Sequence, residues 1–271
     1  MALPVHTTES PDQPGYDGPE LPGIAQINDY WLDGDHHEPA DRELADKFAV
    51  VAPHIPYLVR TQRALLGRIV RHLTELGITQ FLDLGSGIPT CGHVHELAPS
   101  ASVVYVDNDP RVVAVARDVL AGTGNAVLLD EDLREPDRVL AAAAETGLLD
   151  PARPLGVLMI EALVHLRDAE QPADLVARYV DAVPSGSFFA ISHCAQNDRL
   201  VEAFELFERM MLGSRPAVNL RPREVLAGYF TGLDLVEPGV VPITLWHPDS
   251  EDEVDRNPDQ VLMHVGVGRK P

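Results

Sequence analysis

The chain has little cysteine, few bases for its acids, few aromatic residues and no long apolar run. Its 271 residues include two cysteines, Cys91 and Cys194, and no Cys-x-x-Cys pair. That argues against a disulfide framework and fits a reducing compartment. Lysine and arginine number 21 against 42 acids, for a formal net charge of −21. Such a surface repels phosphate backbones, so nucleic acid and anionic membrane are not expected as partners. No apolar stretch has the length of a membrane span. The opening MALPVHTTESPDQPG has neither a basic n-region nor an apolar h-region, so it does not read as a secretion signal. The expectation is a soluble, cytoplasmic protein acting on a small molecule, with a homodimer left open.

Apolar residues make up 45% of the chain, enough for one large domain with a smaller addition. Residues 1–24 are rich in proline, glycine and acids without periodicity, and read as a flexible segment. Residues 25–77 read as a helical extension, a candidate lid. Within it, INDYWLDGDHH is aromatic and turn-rich, and a helix starts near Pro39 with acids in its first turn. Further on, Leu65, Leu66, Ile69, Val70 and Leu73 form the apolar stripe of a long helix that Gly77 closes.

From residue 78 to 271 the pattern alternates. TQFLDLG, SVVYVDND, NAVLLDEDL, LGVLMIEAL and GSFFAISH read as strands. CGHVHELA, PRVVAVARDVLA, REPDRVLAAAAETG and PADLVARYVDAV read as the helices between them, and RLVEAFELFERMML as one more. Unbroken apolar strands alternating with helices mean a parallel sheet covered on both faces. LDLVEPGVVPITLW and QVLMHVGVGRK read as closing strands, a hairpin across the acidic loop 248–259.

FLDLGSGIPT, residues 81–90, ends a buried strand in two glycines one residue apart. The dinucleotide fingerprint needs a third glycine, and Thr90 stands at that position. A P-loop needs a lysine that is absent. An acid marks three successive strand ends instead. Asp83 could serve an ammonium group, Asp107 both hydroxyls of a ribose, and Asp132 an adenine amino group. A cationic ligand with ribose and adenine and without phosphate matches that layout, and S-adenosylmethionine is one. Taken singly, each has a plainer reading: Gly85 and Gly87 as a tight turn, Asp107 as an NAD ribose ligand, Asp132 as a helix cap.

INDYWLDGDHHEPADRELA, RTQRALLGRIVRHL, QFLDLGSGIPT, VVYVDNDP, DLREP and the closing VGVGRKP resemble the actinobacterial S-adenosyl methyltransferase family, from about residue 24 to the end. The resemblance implies an α/β, Rossmann-like class I methyltransferase fold. It would have a mostly parallel seven-stranded sheet, an antiparallel edge strand and a helical N-terminal extension. It implies that Asp83, Gly85, Ser86 and Gly87 surround the amino-acid end of the cofactor. Asp107 would hold the ribose with Asn108 beside it, and Asp132 and Leu133 would flank the adenine. Gln62 departs from the family's pattern, which often has Asn there. The family leaves the methyl acceptor open.

Three residues are candidate bases for the acceptor: Glu161 and His165 after the fourth strand, and His193 ending the fifth. Each could equally be a wall residue. Tyr30 and Trp31 could close over the cofactor, or only staple the extension to the core. Arg60 and Arg63 could pair with the cofactor carboxylate. Cys91, His93 and His95 are spaced like metal ligands but would not share a helix face, so no metal is expected. The rivals to a methyltransferase are a non-catalytic S-adenosylmethionine-binding sensor or partner protein, and an NAD-dependent dehydrogenase.

Overall fold

The computed structural model describes residues 22–210, 218–250 and 262–271. Eight strands form one sheet: β1 Gln80–Leu84, β2 Ser102–Asp107, β3 Ala126–Asp130, β4 Gly156–Ile160, β5 Phe188–Cys194, β6 Asp234–Leu235, β7 Val241–Pro242 and β8 Met263–Arg269. Their order is β3-β2-β1-β4-β5-β8-β6, with β7 also pairing β8. The first five run parallel, and β8 runs antiparallel along β5 from Phe188↔Arg269 to Cys194↔Met263. The order reverses at β1/β4, so ligands are expected beyond the carboxyl ends of the central strands.

The strand count exceeds the expected seven because two two-residue strands pair with the outer side of β8. The stretch LDLVEPGVVPITLW supplies both and then turns through a 3-10 helix at Ile243–Leu245. Pro238 and Pro242 withhold ladder donors, which keeps these strands short. Residues 251–259 of the expected acidic loop, residues 260–261 of the expected last strand and residues 1–21 of the expected flexible segment lie outside the described residues.

Strand alternation divides the core in two. Phe81, Val103 and Tyr105 face one layer, with Leu65, Ile69 and Leu73 of the long helix. Leu82, Leu84, Val104 and Val106 face the other, with Val139, Val176 and Tyr179. Because side chains alternate along a strand, Asp83 falls on the same side as Phe81, toward the N-terminal helices.

Those helices are α1 Ile24–Trp31, α2 Pro39–Val51 and α3 His54–Glu75. The first is helical where aromatic turns were expected. Ile27 and Trp31, four residues apart, both bury their side chains, and tertiary packing overrides the weak local signal. Pro39 opens α2 as expected, inside a capping box of Glu38 and Asp41. The helix read at CGHVHELA shrinks to α4 Val94–Leu97, since Cys91 and Gly92 take positive φ of 57° and 79°. Then follow α5 Pro110–Val119, α6 Pro136–Glu145 and α7 Pro172–Ala182, each with proline in its first turn, and α8 Asp198–Met210 and α9 Arg223–Gly228. Among the described residues, no helix is long and apolar enough to cross a membrane.

Two buried polar residues lock the extension to the sheet layer. Asp41 is fully buried; it accepts from the Gly23 and Glu38 amides at 2.8 Å each and from Arg111 Nη2 of α5 at 2.9 Å. Arg68 of α3 donates to the Trp246 and Ile243 carbonyls at 3.0 and 2.8 Å. Removing Asp41 takes an acceptor from three donors at once. Asp41→Ala is expected to cost about 3 kcal/mol, read as a lower chemical-denaturation midpoint, and to open the segment around residue 23 to limited proteolysis. An unchanged midpoint would show that the extension docks by apolar packing alone.

Candidate functional site

At the carboxyl ends of β1, β2, β3 and β4 lies a cavity of about 720 Å³. That is the size of a small-molecule site. The glycine loop forms its floor. Gly85 and Gly87 have φ of +69° and +65°, conformations that side chains resist. A Cβ on Gly85 would sit 2.8 Å from the Ala162 Cβ, whereas one on Gly87 would meet nothing within 4 Å. So the first glycine permits close approach of the β4 exit loop, and the second leaves its face open.

The loop is tied to β2. Gly85 N and Ser86 N donate to the Val106 carbonyl at 2.8 and 3.2 Å. Gly87 N donates to Asp107 Oδ2 at 2.8 Å, and Asp109 N donates to Oδ1 at 3.0 Å. Burial pushes the Asp107 carboxyl up, and those backbone donors oppose it. Asn108 and Ser86 line the same cavity. After β3, Leu133 lines it too, its carbonyl held by the Tyr179 hydroxyl at 2.8 Å. Asp132 lines it while gripping Arg134 through that residue's amide and guanidinium. It does not cap α6, whose N-cap is Glu135.

Asp83 is buried, and burial pushes its carboxyl up to about 7, with Arg63 opposing and Asp107 reinforcing. Glu161 ends the β4 wall in a left-handed conformation, φ 58°. Its Oε1 accepts from the Ser192 hydroxyl and its Oε2 from Cys194 N, both at 3.0 Å. Burial pushes this carboxyl up to about 7 as well, against those donors. His165 is exposed on the same wall.

Four expected site residues lie elsewhere. Tyr30 points outward, donating to Asp46 Oδ1 at 2.9 Å, because the apolar face of α1 belongs to Ile27 and Trp31. Trp31 itself is core, 6.2 Å from the Phe48 ring centroid. Arg60 donates to the Trp31 carbonyl at 3.2 Å and joins helices instead of lining the cavity. His193 is buried behind the wall: Nδ1 lies 2.8 Å from the Cys194 carbonyl and Nε2 lies 2.9 Å from Arg221 Nη1. The carbonyl can only accept and the guanidinium can only donate, so Nδ1 carries the proton and Nε2 is the acceptor. Burial pushes this imidazole down to about 4. Arg221 also donates to the Leu163 and Leu166 carbonyls, so His193 helps hold the turn that carries His165.

Arg63, expected with Arg60 to face the cofactor carboxylate, lines the cavity. So do His93, Asn28, Asp29 and Leu32, which had been given no cofactor role. Asp29 Oδ1 accepts from the Thr90 hydroxyl at 3.0 Å, which couples α1 to the glycine loop. For His93 the only earlier signal was its metal-like spacing. Among the described residues, no group of three or more histidines, cysteines or acids stands together to hold a metal.

A parallel sheet, a two-glycine loop and acids around one cavity define a nucleoside-binding α/β protein of the class I methyltransferase type. The chain belongs to the S-adenosyl methyltransferase family, whose model matches residues 18–271. It is similar to a candidate methyltransferase from Thermobifida fusca YX, at 34% identity over 92% of this chain and 95% of that one, TM-score 0.81. It is also similar to a DUF574 family protein from Streptomyces avermitilis MA-4680, at 31% identity over 93% and 98%, TM-score 0.82. The plantazolicin methyltransferase BpumL in complex with S-adenosylhomocysteine shares the fold, at 12% identity over 91% and 95%, TM-score 0.51. No curated protein matches the chain. The protein is an S-adenosylmethionine-dependent methyltransferase, and the hydride-transfer reading falls.

The residues present fit that cofactor: Gly87 offers an open backbone face, and Arg63 Nη1 and both His93 ring nitrogens are buried without a hydrogen-bond partner among the described residues.

Asp83 also carries a testable pH dependence. Its folded carboxyl sits near 7, above the ordinary value of 3.8, so between about pH 4 and pH 7 the folded chain holds more protons than the unfolded chain. That contribution to stability is present at low pH and lost as pH rises through about 7. Asp83→Asn removes it. Relative to the parent protein, the variant is expected to gain melting temperature as pH rises from about 5 to about 8. Parallel melting curves would sink this assignment.

Proposed function

We propose that the chain transfers a methyl group to a small-molecule acceptor bound in the cavity against Glu161, His165 and Leu166. The observation that supports this best is the ring of acids at parallel strand ends, Asp83, Asp107, Asp132 and Glu161, around one cavity. Three of them suit the three polar parts of the cofactor, which leaves Glu161 for the acceptor. Asp107, held from behind by two backbone amides, has lone pairs left for two ribose hydroxyls. Leu133 and Asp132 suit the adenine, and the glycine loop suits the amino-acid end.

The bound cofactor supplies an electrophilic methyl group on a sulfonium. The chain's own residues position the acceptor, exclude water and take a proton. Glu161, with a carboxyl near 7, is matched to accept a proton from the acceptor at neutral pH. His165 is the second candidate on that wall. Residues 25–77 act as a cover, with Asn28 of α1, Leu32 just after it, and Val59, Gln62 and Leu66 of α3 lining the cavity. A small acceptor suits the net charge of −21, which disfavours nucleic acid, and cytoplasmic residence suits two free cysteines.

Calorimetry with S-adenosylmethionine and S-adenosylhomocysteine tests the site. Asp107→Ala is expected to weaken both by about 10- to 100-fold, the worth of charge-assisted hydrogen bonds, and NADH is expected not to bind. Unchanged affinity in the variant would move the ribose elsewhere. Glu161→Gln is expected to keep S-adenosylhomocysteine affinity within about twofold and to lower transfer by about 100-fold. The assay is methyl transfer across a panel of amines, phenols and carboxylates. Full transfer by that variant would remove Glu161 as the base.

A further inference from the structure

Glu161 lines the cavity as an acid with no cation to answer it. Asp83 has Arg63 nearby, Asp132 grips Arg134, and Asp29 lies 3.1 Å from His37 Nδ1. Around the Glu161 carboxyl stand donors instead. The Ser192 hydroxyl donates to Oε1 and Cys194 N to Oε2, and the Cys194 thiol donates as well. All three favour the ionised carboxyl, and burial opposes them. A carboxylate offers about four lone-pair sites, so three donors leave room for one more bond. A carboxylate braced in this way and partly shielded from water is short of positive charge.

The rest of the lining narrows the chemistry of what supplies that charge. Arg63 and Arg134 line the cavity among the described residues, and no lysine joins them. Arg134 is bound to Asp132 and Glu170. Arg63 lies on the glycine-loop side, near Asp83, Cys91 and Tyr105. Behind the β4 exit, Arg221 is spent on Asp168 and on the Leu163 and Leu166 carbonyls. A carboxylate or phosphate acceptor would therefore meet Glu161 with no free cation to hold it. Among the described residues, no phenylalanine, tyrosine or tryptophan lines the cavity. Its apolar lining is aliphatic, with Ile24, Leu32, Val59, Leu66, Ile160 and Leu166. A flat ring would find no aromatic partner to stack on, and a quaternary ammonium no aromatic cage. The net charge of −21 draws cations toward the opening and repels anions.

We propose that the methyl acceptor is an aliphatic amine whose ammonium pairs with Glu161. This rests on the methyl-transfer reading above and names the substrate class of that site. An ammonium has no lone pair, so it must lose a proton before it can attack. It gives that proton to the Glu161 carboxylate. The freed nitrogen pair then forms the N–C bond to the methyl carbon as the sulfonium S–C bond breaks, and the electrons of that bond return to sulfur. The products are the methylated ammonium, the thioether and a protonated Glu161, which passes its proton to water. One positive charge stands on each side of the balance.

The full chain, saturated with S-adenosylhomocysteine, is titrated calorimetrically with butyl, hexyl and cyclohexylmethyl amines. Alcohols and carboxylates of the same carbon skeletons are the comparison. The titration is run at about pH 8, above the Glu161 carboxyl near 7 and below an aliphatic ammonium at about 10.4. The amine that binds best is expected to exceed its alcohol by about 10-fold, the worth of a charge-assisted hydrogen bond, with the carboxylate weakest. In Glu161→Gln the amine and its alcohol are expected to bind within about twofold of each other. S-Adenosylhomocysteine binding by that variant checks that it is folded. With S-adenosylmethionine, methyl transfer is expected to nitrogen in the amines and not to oxygen in the alcohols or carboxylates. An alcohol or carboxylate that binds as well as its amine, or no amine binding at all, would overturn the amine assignment. So would an amine preference that survives in Glu161→Gln. In each case S-adenosylhomocysteine binding by the parent protein would leave the cofactor site standing. Failure of the parent to bind S-adenosylhomocysteine would overturn the cofactor site and the proposal with it.

Discussion

The bond from Gly87 N to Asp107 Oδ2 is the constraint around which the site is built. It joins the loop after the central strand to the end of its neighbour. It forces the loop through left-handed glycine conformations and leaves Asp107 aimed at the cavity. Once the loop is held, a Cβ at Gly85 would meet Leu133 after β3 at 3.5 Å and crowd Ala162 after β4 at 2.8 Å, so only glycine lets these segments come together. Three strand ends are thereby drawn around one volume. A side chain at Gly85 would push the β4 exit away, and with it the turn carrying Glu161 and His165.

The same geometry concentrates negative charge where water is scarce. Asp83, Asp107 and Glu161 are all pushed up by burial. Backbone amides, the Ser192 hydroxyl and Arg63 offset part of that cost. The fold bears the remainder, which is the usual compromise at a binding site: groups left less than satisfied in the free protein become favourable when a ligand completes them. The two carboxyls near 7 belong to neighbouring strands, Asp83 within β1 before the glycine loop and Glu161 just after β4.

The N-terminal helices belong to the site as much as the sheet does. Asp29 reaches the glycine loop through Thr90, and Asp41 fastens α1 and α2 to α5 through Arg111. In a two-glycine loop the position of the missing third glycine is thus used for a contact with the extension. This family's S-adenosylmethionine chemistry is carried on a sheet shared with very distant methyltransferases, and residues before that sheet also line the cavity.

Much of this was legible in the chain itself. Unbroken apolar strands, proline at the first turn of successive helices, two glycines after β1 and acids at strand ends are local signals. Local rules suffice for them: side-chain alternation, proline's missing donor, glycine's freedom at positive φ. Placement of the individual polar residues was not local. Arg60 and Arg63 lie on one side of α3, about one turn apart, and only docking against the sheet decides which reaches the cavity and which reaches the Trp31 carbonyl. His93 sits at the start of α4, and His193 lies within β5. One turns to the cavity, and the other is captured behind it by Arg221. A sequence names the groups able to bind or to brace. Which of them does which depends on where helix meets strand, and that is settled by packing between residues far apart in the chain.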